Sequence, residues 1–234
     1  MSDPHVPVAR LPSDGPLATF DREWRALAAR RAWSVAASER WLTDLRHRHS
    51  EPHRYYHGVA HITDLLDRIR TLPFAQPDEA AAAAFLHDAI HHVGASDNEA
   101  RSAELAREVL IELDEPNLAE RVAAICMATA THAATGDNDT DLFLDADMAV
   151  LGDPPSRYAR YRAAVMREYL TAVPRDLYLI GRITRFIEPT LAGGPIFHTS
   201  ALAGREAQAR ANLAAEAEWL RAGAPDGPEA TPSR

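Results

Sequence analysis

Apolar residues recur at helical spacing along almost the whole of this chain, and no stretch alternates apolar and polar residues as a half-buried strand does. Two such stripes are Ile62, Leu65, Leu66 and Ile69, and Leu118, Val122, Ile125, Thr129 and His132. Proline and glycine residues separate the stripes, as expected where helices end. The pattern predicts an all-α bundle of about eight or nine helices.

Length and local composition predict a single domain with short tails. A chain of 234 residues fits one sizeable domain with its own core. Residues 1–16 and 222–234 lack apolar periodicity and are rich in proline, glycine or alanine, which predicts flexible termini. We therefore expect one helical domain over residues 17–221.

Composition excludes several classes of protein. The 34 acidic residues outnumber the 25 basic ones and the two are mixed along the chain, which argues against a nucleic-acid polymer as partner. The single cysteine, Cys126, excludes a disulfide scaffold and a Cys-type zinc site. No apolar run has the length of a membrane span or a signal peptide, so we expect a cytoplasmic protein with no membrane partner. A homodimer remains open.

Histidines are concentrated in two short stretches, residues 47–61 and 87–92. His57 and His61 are four residues apart, so a helix projects both from one face. The apolar helix predicted from residue 80 ends in His87 and Asp88, and a buried carboxylate needs a partner such as a divalent cation. We interpret the flanking His47, His49 and His53 as structural.

Two further candidates are ambiguous from the residues alone. Asp145 and Asp147 interrupt the apolar stretch 142–152, where an aspartate commonly caps a helix. His132 falls on the buried stripe of its predicted helix, where a lone histidine is more often a core residue than a ligand.

These stretches together resemble the HD-domain superfamily of metal-dependent phosphohydrolases, in an uncharacterised branch. The matching segments are 54–62 (RYYHGVAHI), 85–91 (FLHDAIH), 97–103 (DNEARSA), 131–132 (TH), 143–152 (FLDADMAVLG) and 167–174 (REYLTAVP), with 206–213 (EAQARANL) as a weaker match. The resemblance covers roughly 120 residues and implies the ligand order H, HD, D. It assigns His61, His87, Asp88 and Asp145 as metal ligands. Asp147 is the alternative last ligand, in which case Asp145 would orient a neighbouring histidine.

The resemblance implies a hydrolase that needs a divalent ion, with Mn, Mg, Co, Ni, Fe and Zn all open. We expect it to cleave a phosphate ester or anhydride of a small phosphorylated molecule, with a nucleotide as the favoured class, by attack of metal-bound hydroxide. Asp88 would also receive or orient the water proton. His57 and His132 would ligate a second metal, contact phosphate or protonate the leaving oxygen.

Phosphate also needs fixed donors, and the same segments offer them. Arg54 is a candidate phosphate clamp, with a solvated surface arginine as the alternative. Asn98, Glu99 and Asp147 are the other candidate substrate contacts, although Glu99 could instead tie its helix end to an arginine.

Two other functions stay open at this stage. One is a di-iron oxygenase of the HD type, because spare histidines could hold a second metal. The other is a non-catalytic, nucleotide-sensing HD module.

Overall fold

The structure is a computed structural model that describes residues 15–227, and this range contains eleven α-helices and no β-strand. The helices are α1 (Pro16–Arg30), α2 (Val35–Arg48), α3 (Val59–Ile69), α4 (Pro77–Leu86), α5 (Asn98–Glu112), α6 (Pro116–Ala128), α7 (Asn138–Met148), α8 (Pro155–Tyr169), α9 (Arg175–Arg182), α10 (Glu188–Ala192) and α11 (Glu206–Arg221). A π turn, Ile183–Ile187, joins α9 to α10 without a break. The predicted all-α fold is confirmed, with more helices than expected.

Several helices begin at a proline that the sequence shows as a breaker. Proline occupies the first turn of α1, α4, α6 and α8. A backbone N–H in that turn has no partner within the helix, so proline loses nothing there and its fixed φ suits the helix. Helix α7 begins differently, because the Asp137 side chain accepts a hydrogen bond of 2.8 Å from the Thr140 N–H.

The buried residues form two hydrophobic clusters that meet along α7. The first cluster is built mainly on α1–α6 and includes the large side chains Trp24 and Phe85. The second is built on the segments from α7 to α11. Helix α7 contributes Phe143 to the first cluster and Leu142 to the second. The candidate site lies along this seam.

A buried carboxylate ties the second half of the bundle to the first. Asp153 is 3% exposed and pairs with Arg68 of α3 at 2.8 Å, with Arg157 of α8 at 3.1 Å and with Arg205 at 2.7 Å. Its neighbour Gly152 packs so closely on Arg205 that an added Cβ would lie 2.6 Å from the Arg205 Cβ.

The predicted flexible termini lie largely outside the described residues. Within the described range, the chain beyond α11 packs back on the bundle. Ala224 is fully buried, and the Trp219 Nε1–H donates to the Pro225 carbonyl at 2.9 Å. The packed region therefore extends past the boundary expected at residue 221.

Among residues 15–227, no helix combines the length and the apolar character needed to cross a membrane.

Candidate metal site

Four candidate ligands from three parts of the fold converge at the seam. His61 lies on α3, His87 and Asp88 directly follow α4, and Asp147 lies in the last turn of α7. The Nε2 atoms of His61 and His87 are 3.3 Å apart. Asp147 Oδ1 lies 3.2 Å from the first nitrogen and 3.7 Å from the second. Asp88 Oδ2 lies 3.6 Å and 3.2 Å from the same two nitrogens.

Hydrogen bonds to the backbone determine which nitrogen of His87 faces this cluster. The Nδ1–H of His87 donates to the carbonyls of Ala84 at 3.2 Å and Ala83 at 3.3 Å. Nε2 is therefore the nitrogen directed at the other ligands. A metal-bound histidine is typically held in this way, by a backbone carbonyl on its second nitrogen.

The cluster is strongly charged when no ion is bound. Burial lowers the pKa of His87, but the attraction of Asp88 outweighs it and raises that pKa to about 9. Burial raises the pKa of Asp88, yet His87 holds it well below its usual range. The pKa of Asp147 is also lowered, because hydrogen bonds from His132 and His61 outweigh its burial. A divalent cation could replace the protons that this cluster otherwise retains.

Asp145 does not join the cluster, so the expected last ligand is corrected. Its carboxylate is 1% exposed and accepts bonds from the His198 N–H at 2.7 Å, the Thr199 N–H at 2.8 Å and the Thr199 hydroxyl at 2.6 Å. Both oxygens of Asp145 are thereby engaged with the segment before α11. Asp147, the alternative, lies 3.2 Å from His61 Nε2, beside the group of His61, His87 and Asp88 whose ligand atoms all lie within 4.8 Å of one another.

His132 reaches the site from a turn and not from the helix stripe on which it was expected. Helix α6 ends at Ala128, and His132 follows with a positive φ of 49°. Its Nε2–H donates to Asp147 Oδ2 at 3.0 Å. Its carbonyl accepts a bond of 2.8 Å from His198 Nε2, a residue that the sequence analysis did not single out. His132 therefore orients Asp147, with His198 behind it.

Glu168 of α8 organises a second group of side chains beside the first. It is fully buried, and its Oε2 accepts from the backbone N–H groups of Tyr56 at 2.9 Å and His57 at 3.0 Å. Its Oε1 accepts from His57 Nδ1 and, at 3.0 Å, from His91 Nε2. These three side chains could also hold a metal ion. The sequence analysis missed Glu168, although an acid beside Val165 on the buried stripe of α8 was a signal.

The two histidines of this second group differ in the direction of their pKa shifts. Burial lowers the pKa of His57, but attraction to Glu168 outweighs it and the pKa is raised. Burial also lowers the pKa of His91, and here that effect prevails. The pKa of Glu168 is held low despite burial, mainly by His57. Within this group His57 therefore binds a proton more readily than a free imidazole does, and His91 binds one less readily.

Arg54 is a buried crosslink, which corrects its expected role as a phosphate clamp. Its side chain is 1% exposed. The guanidinium donates to the carbonyls of His57 at 3.0 Å, Asp88 at 2.6 Å and Ala89 at 3.1 Å, and to Glu51 at 2.9 Å. It therefore holds the turn before α3 against the His-Asp turn, and four of its five N–H donors are already engaged there.

The two remaining candidates differ in what their side chains do. Asn98 accepts from the His92 N–H at 2.9 Å and donates to the His92 carbonyl at 3.0 Å, so its amide closes the loop between α4 and α5. Asn98, expected as a substrate contact, is therefore corrected to a residue whose amide holds this loop closed. Glu99 lines the cavity described next.

A cavity of about 580 Å³ opens onto both groups. His57, His87, Asp88, His132 and Asp147 all line it. Aromatic and basic residues of α8, α9 and the π turn also line it, among them Tyr161, Tyr178, Arg182, Arg185 and Phe186. The volume lies within the range of small-molecule sites, about 300–1,000 Å³.

Comparison with known proteins gives no relative, because no family model, no curated protein and no solved structure matches this chain.

Proposed function

We propose that this protein is a metal-dependent phosphohydrolase that acts on a small phosphorylated molecule, and a nucleotide is the favoured class. The observation that supports it most is the cluster of His61, His87, Asp88 and Asp147. The two imidazole nitrogens lie 3.3 Å apart and each carboxylate lies 3.2–3.7 Å from them, which matches ligand atoms that share one ion, since tetrahedral ligands at ~2.1 Å are about 3.4 Å apart. In His61, His87 and Asp88 all ligand atoms lie within 4.8 Å of one another. Two imidazoles and two carboxylates suit Zn, Mn, Fe, Co or Ni.

The second group supports a single metal. Each carboxylate oxygen of Glu168 already accepts two hydrogen bonds, from two backbone N–H groups or from two imidazoles. A carboxylate with both oxygens engaged in this way does not need a cation to balance its burial. We therefore assign the ion to the first group and a hydrogen-bonding role to the second.

The reaction class rests on the resemblance to the HD superfamily and on the chemistry of the cluster. A divalent ion there would lower the pKa of bound water and polarise a phosphoryl oxygen. Asp88 and Asp147 supply the negative charge that retains the ion, and His132 keeps Asp147 in position. His57, held by Glu168, lines the cavity and can donate a hydrogen bond to a phosphoryl or leaving oxygen.

Phosphate release from a panel of phosphorylated compounds tests the proposal. Protein stripped of metal is reloaded with one ion at a time and offered phosphomonoesters, nucleoside mono-, di- and triphosphates, and cyclic nucleotides. We expect ion-dependent release that Asp88→Asn and His61→Gln abolish, whereas His47→Gln, a change to an exposed histidine outside the cavity, leaves it intact. A protein that retains its ion and binds a nucleotide without cleaving any compound would overturn the assignment in favour of a binding module.

A further inference from the structure

One wall of the cavity is a continuous face of α9 and the π turn. Its residues recur in pairs four apart: Leu177 and Tyr178, Gly181 and Arg182, and Arg185 and Phe186. The π turn is bonded from the Glu188 N–H to the Ile183 carbonyl, five residues back, which widens the helix at this point. Such turns are frequently found at functional sites.

Arg182 on this wall is already neutralised inside the protein. Its guanidinium lies 3.1 Å from Glu216, which is fully buried, and donates to the Tyr161 hydroxyl at 3.0 Å. It also lies 4.0 Å from the centre of the Phe186 ring. Arg182 therefore fixes the wall and offers no free charge to a ligand.

Arg185, one turn further along, has no such partner. Arg185 is exposed and lines the same cavity as His87, Asp88 and Asp147, and among the described residues no carboxylate or carbonyl bonds to its guanidinium. A free guanidinium at a cavity wall is a donor for two oxygens of an anionic group.

Tyr178 supplies a second, independent observation at the same wall. Its side chain is 3% exposed, and its buried hydroxyl has no hydrogen-bond partner within the described structure. A buried hydroxyl without a partner is unfavourable and uncommon in folded proteins. Tyr178 lines the same cavity, so a rotation of its side chain that turns the hydroxyl toward a bound anion would satisfy it.

We propose that Arg185 and Tyr178 form a subsite for a second phosphate group of the substrate, apart from the phosphoryl group that reacts at the metal cluster. The substrate class is then a diphosphate or bisphosphate and not a simple monoester. This extension rests on the proposed function for the reaction, but the subsite itself is a property of the wall and exists without the ion.

Titration of the metal-free protein with inorganic phosphate, in the presence of a chelator, tests the subsite. Binding is followed by phosphorus NMR in the wild type, Arg185→Gln, Tyr178→Phe and the control Arg160→Gln, an exposed arginine of α8 that does not line the cavity. We expect about tenfold weaker binding for Arg185→Gln, about threefold weaker for Tyr178→Phe, and no change for the control. Tyr178→Phe should also raise the melting temperature of the free protein, because it removes an unsatisfied hydroxyl.

Equal affinity in the wild type and Arg185→Gln, or no saturable binding in the wild type, would overturn the subsite. Loss of metal binding or of hydrolysis would overturn the proposed function and leave this titration unaffected, so the two proposals fail separately. In the active enzyme, Arg185→Gln should raise the KM for a diphosphate about tenfold and leave that for a monoester within twofold. An equal change in KM for the diphosphate and the monoester would contradict a diphosphate or bisphosphate as the substrate class.

Discussion

Two aspartates of α7 show how sharply neighbouring positions differ in role. Residues two apart on a helix point to nearly opposite sides. Asp145 therefore faces the segment at His198 and Thr199, while Asp147 faces His61. One carboxylate holds a loop, and the other is available to an ion.

Replacement of each aspartate by asparagine separates these roles. We expect Asp147→Asn to weaken binding of Mn²⁺ or Co²⁺ by at least about 100-fold, because a charged ligand is lost. Asp145→Asn should lower the free energy of unfolding of the metal-free protein by about 1–3 kcal/mol, because an amide cannot accept all three bonds. Calorimetric metal titration and urea unfolding measure the two effects. The opposite pattern would restore Asp145 as the ligand.

His49 makes stability depend on pH. Burial, with a contribution from Arg54, lowers its pKa to about 3, and its Nε2–H donates to the Phe85 carbonyl at 2.9 Å. The folded protein therefore binds this proton less readily than the unfolded chain, whose pKa is about 6.5. The stabilisation is complete above that value and is lost as pH falls toward 3.

We expect His49 alone to remove about 2 kcal/mol from the free energy of unfolding between pH 7 and pH 5. His49→Gln keeps a donor for the Phe85 carbonyl but does not titrate in this range. Urea unfolding of both proteins at the two pH values isolates the effect, since all other groups contribute equally. Parallel pH profiles would show that His49 is not buried in its neutral form.

At the level of single residues, the sequence predicts the candidate ligands that lie next to a strong local signal. His87 and Asp88 end an apolar helix, and His61 shares a helix with the apolar stripe of α3. Glu168 and His198 could not be placed in this way, because tertiary packing alone brings them to the site from over 100 residues along the chain from His57 and over 60 from His132.

At the scale of elements, several residues of the candidate site lie in turns that follow helices, and the turns were the hardest part of the fold to predict. Helix α6 ends before His132, whose positive φ is an uncommon backbone state for a residue other than glycine. The sequence-based prediction continued the helix through that turn, because Thr129 and His132 have the spacing of the apolar stripe. The helices themselves follow their apolar stripes and their proline starts, so the fold class was predictable.

The turn before α3 is held in place by the hydrogen bonds of Arg54 to three backbone carbonyls. Arg54→Lys replaces a planar fork with one ammonium that cannot reach three carbonyls together. We expect the free energy of unfolding to fall by about 2–4 kcal/mol and metal affinity by about tenfold, with KM unchanged. Denaturant unfolding and metal titration measure these changes. A higher KM with unchanged stability would instead indicate that Arg54 contacts substrate.

At the scale of the whole molecule, Asp153 connects the two halves of the bundle through three arginines. Asp153→Ala leaves Arg68 partly buried without its close partner, and we expect a loss of about 3–5 kcal/mol in the free energy of unfolding. Asp67→Ala, which removes an exposed ion pair of α3, is the control and should cost less than about 1 kcal/mol. Similar losses of unfolding free energy in both variants would mean that the ion pairs of Asp153 contribute little to stability.

The central claim is that one divalent ion binds where α3, α4 and α7 meet. The most direct test is the metal content per chain, after reconstitution with Mn, Co, Ni, Fe or Zn and removal of free ion. The account predicts one ion per wild-type chain, one in Glu168→Gln and none in His61→Ala/Asp147→Asn. Two ions per chain, with one lost in Glu168→Gln, would place a metal in the second group and favour oxygenase chemistry. The absence of bound ion under every condition would contradict the account.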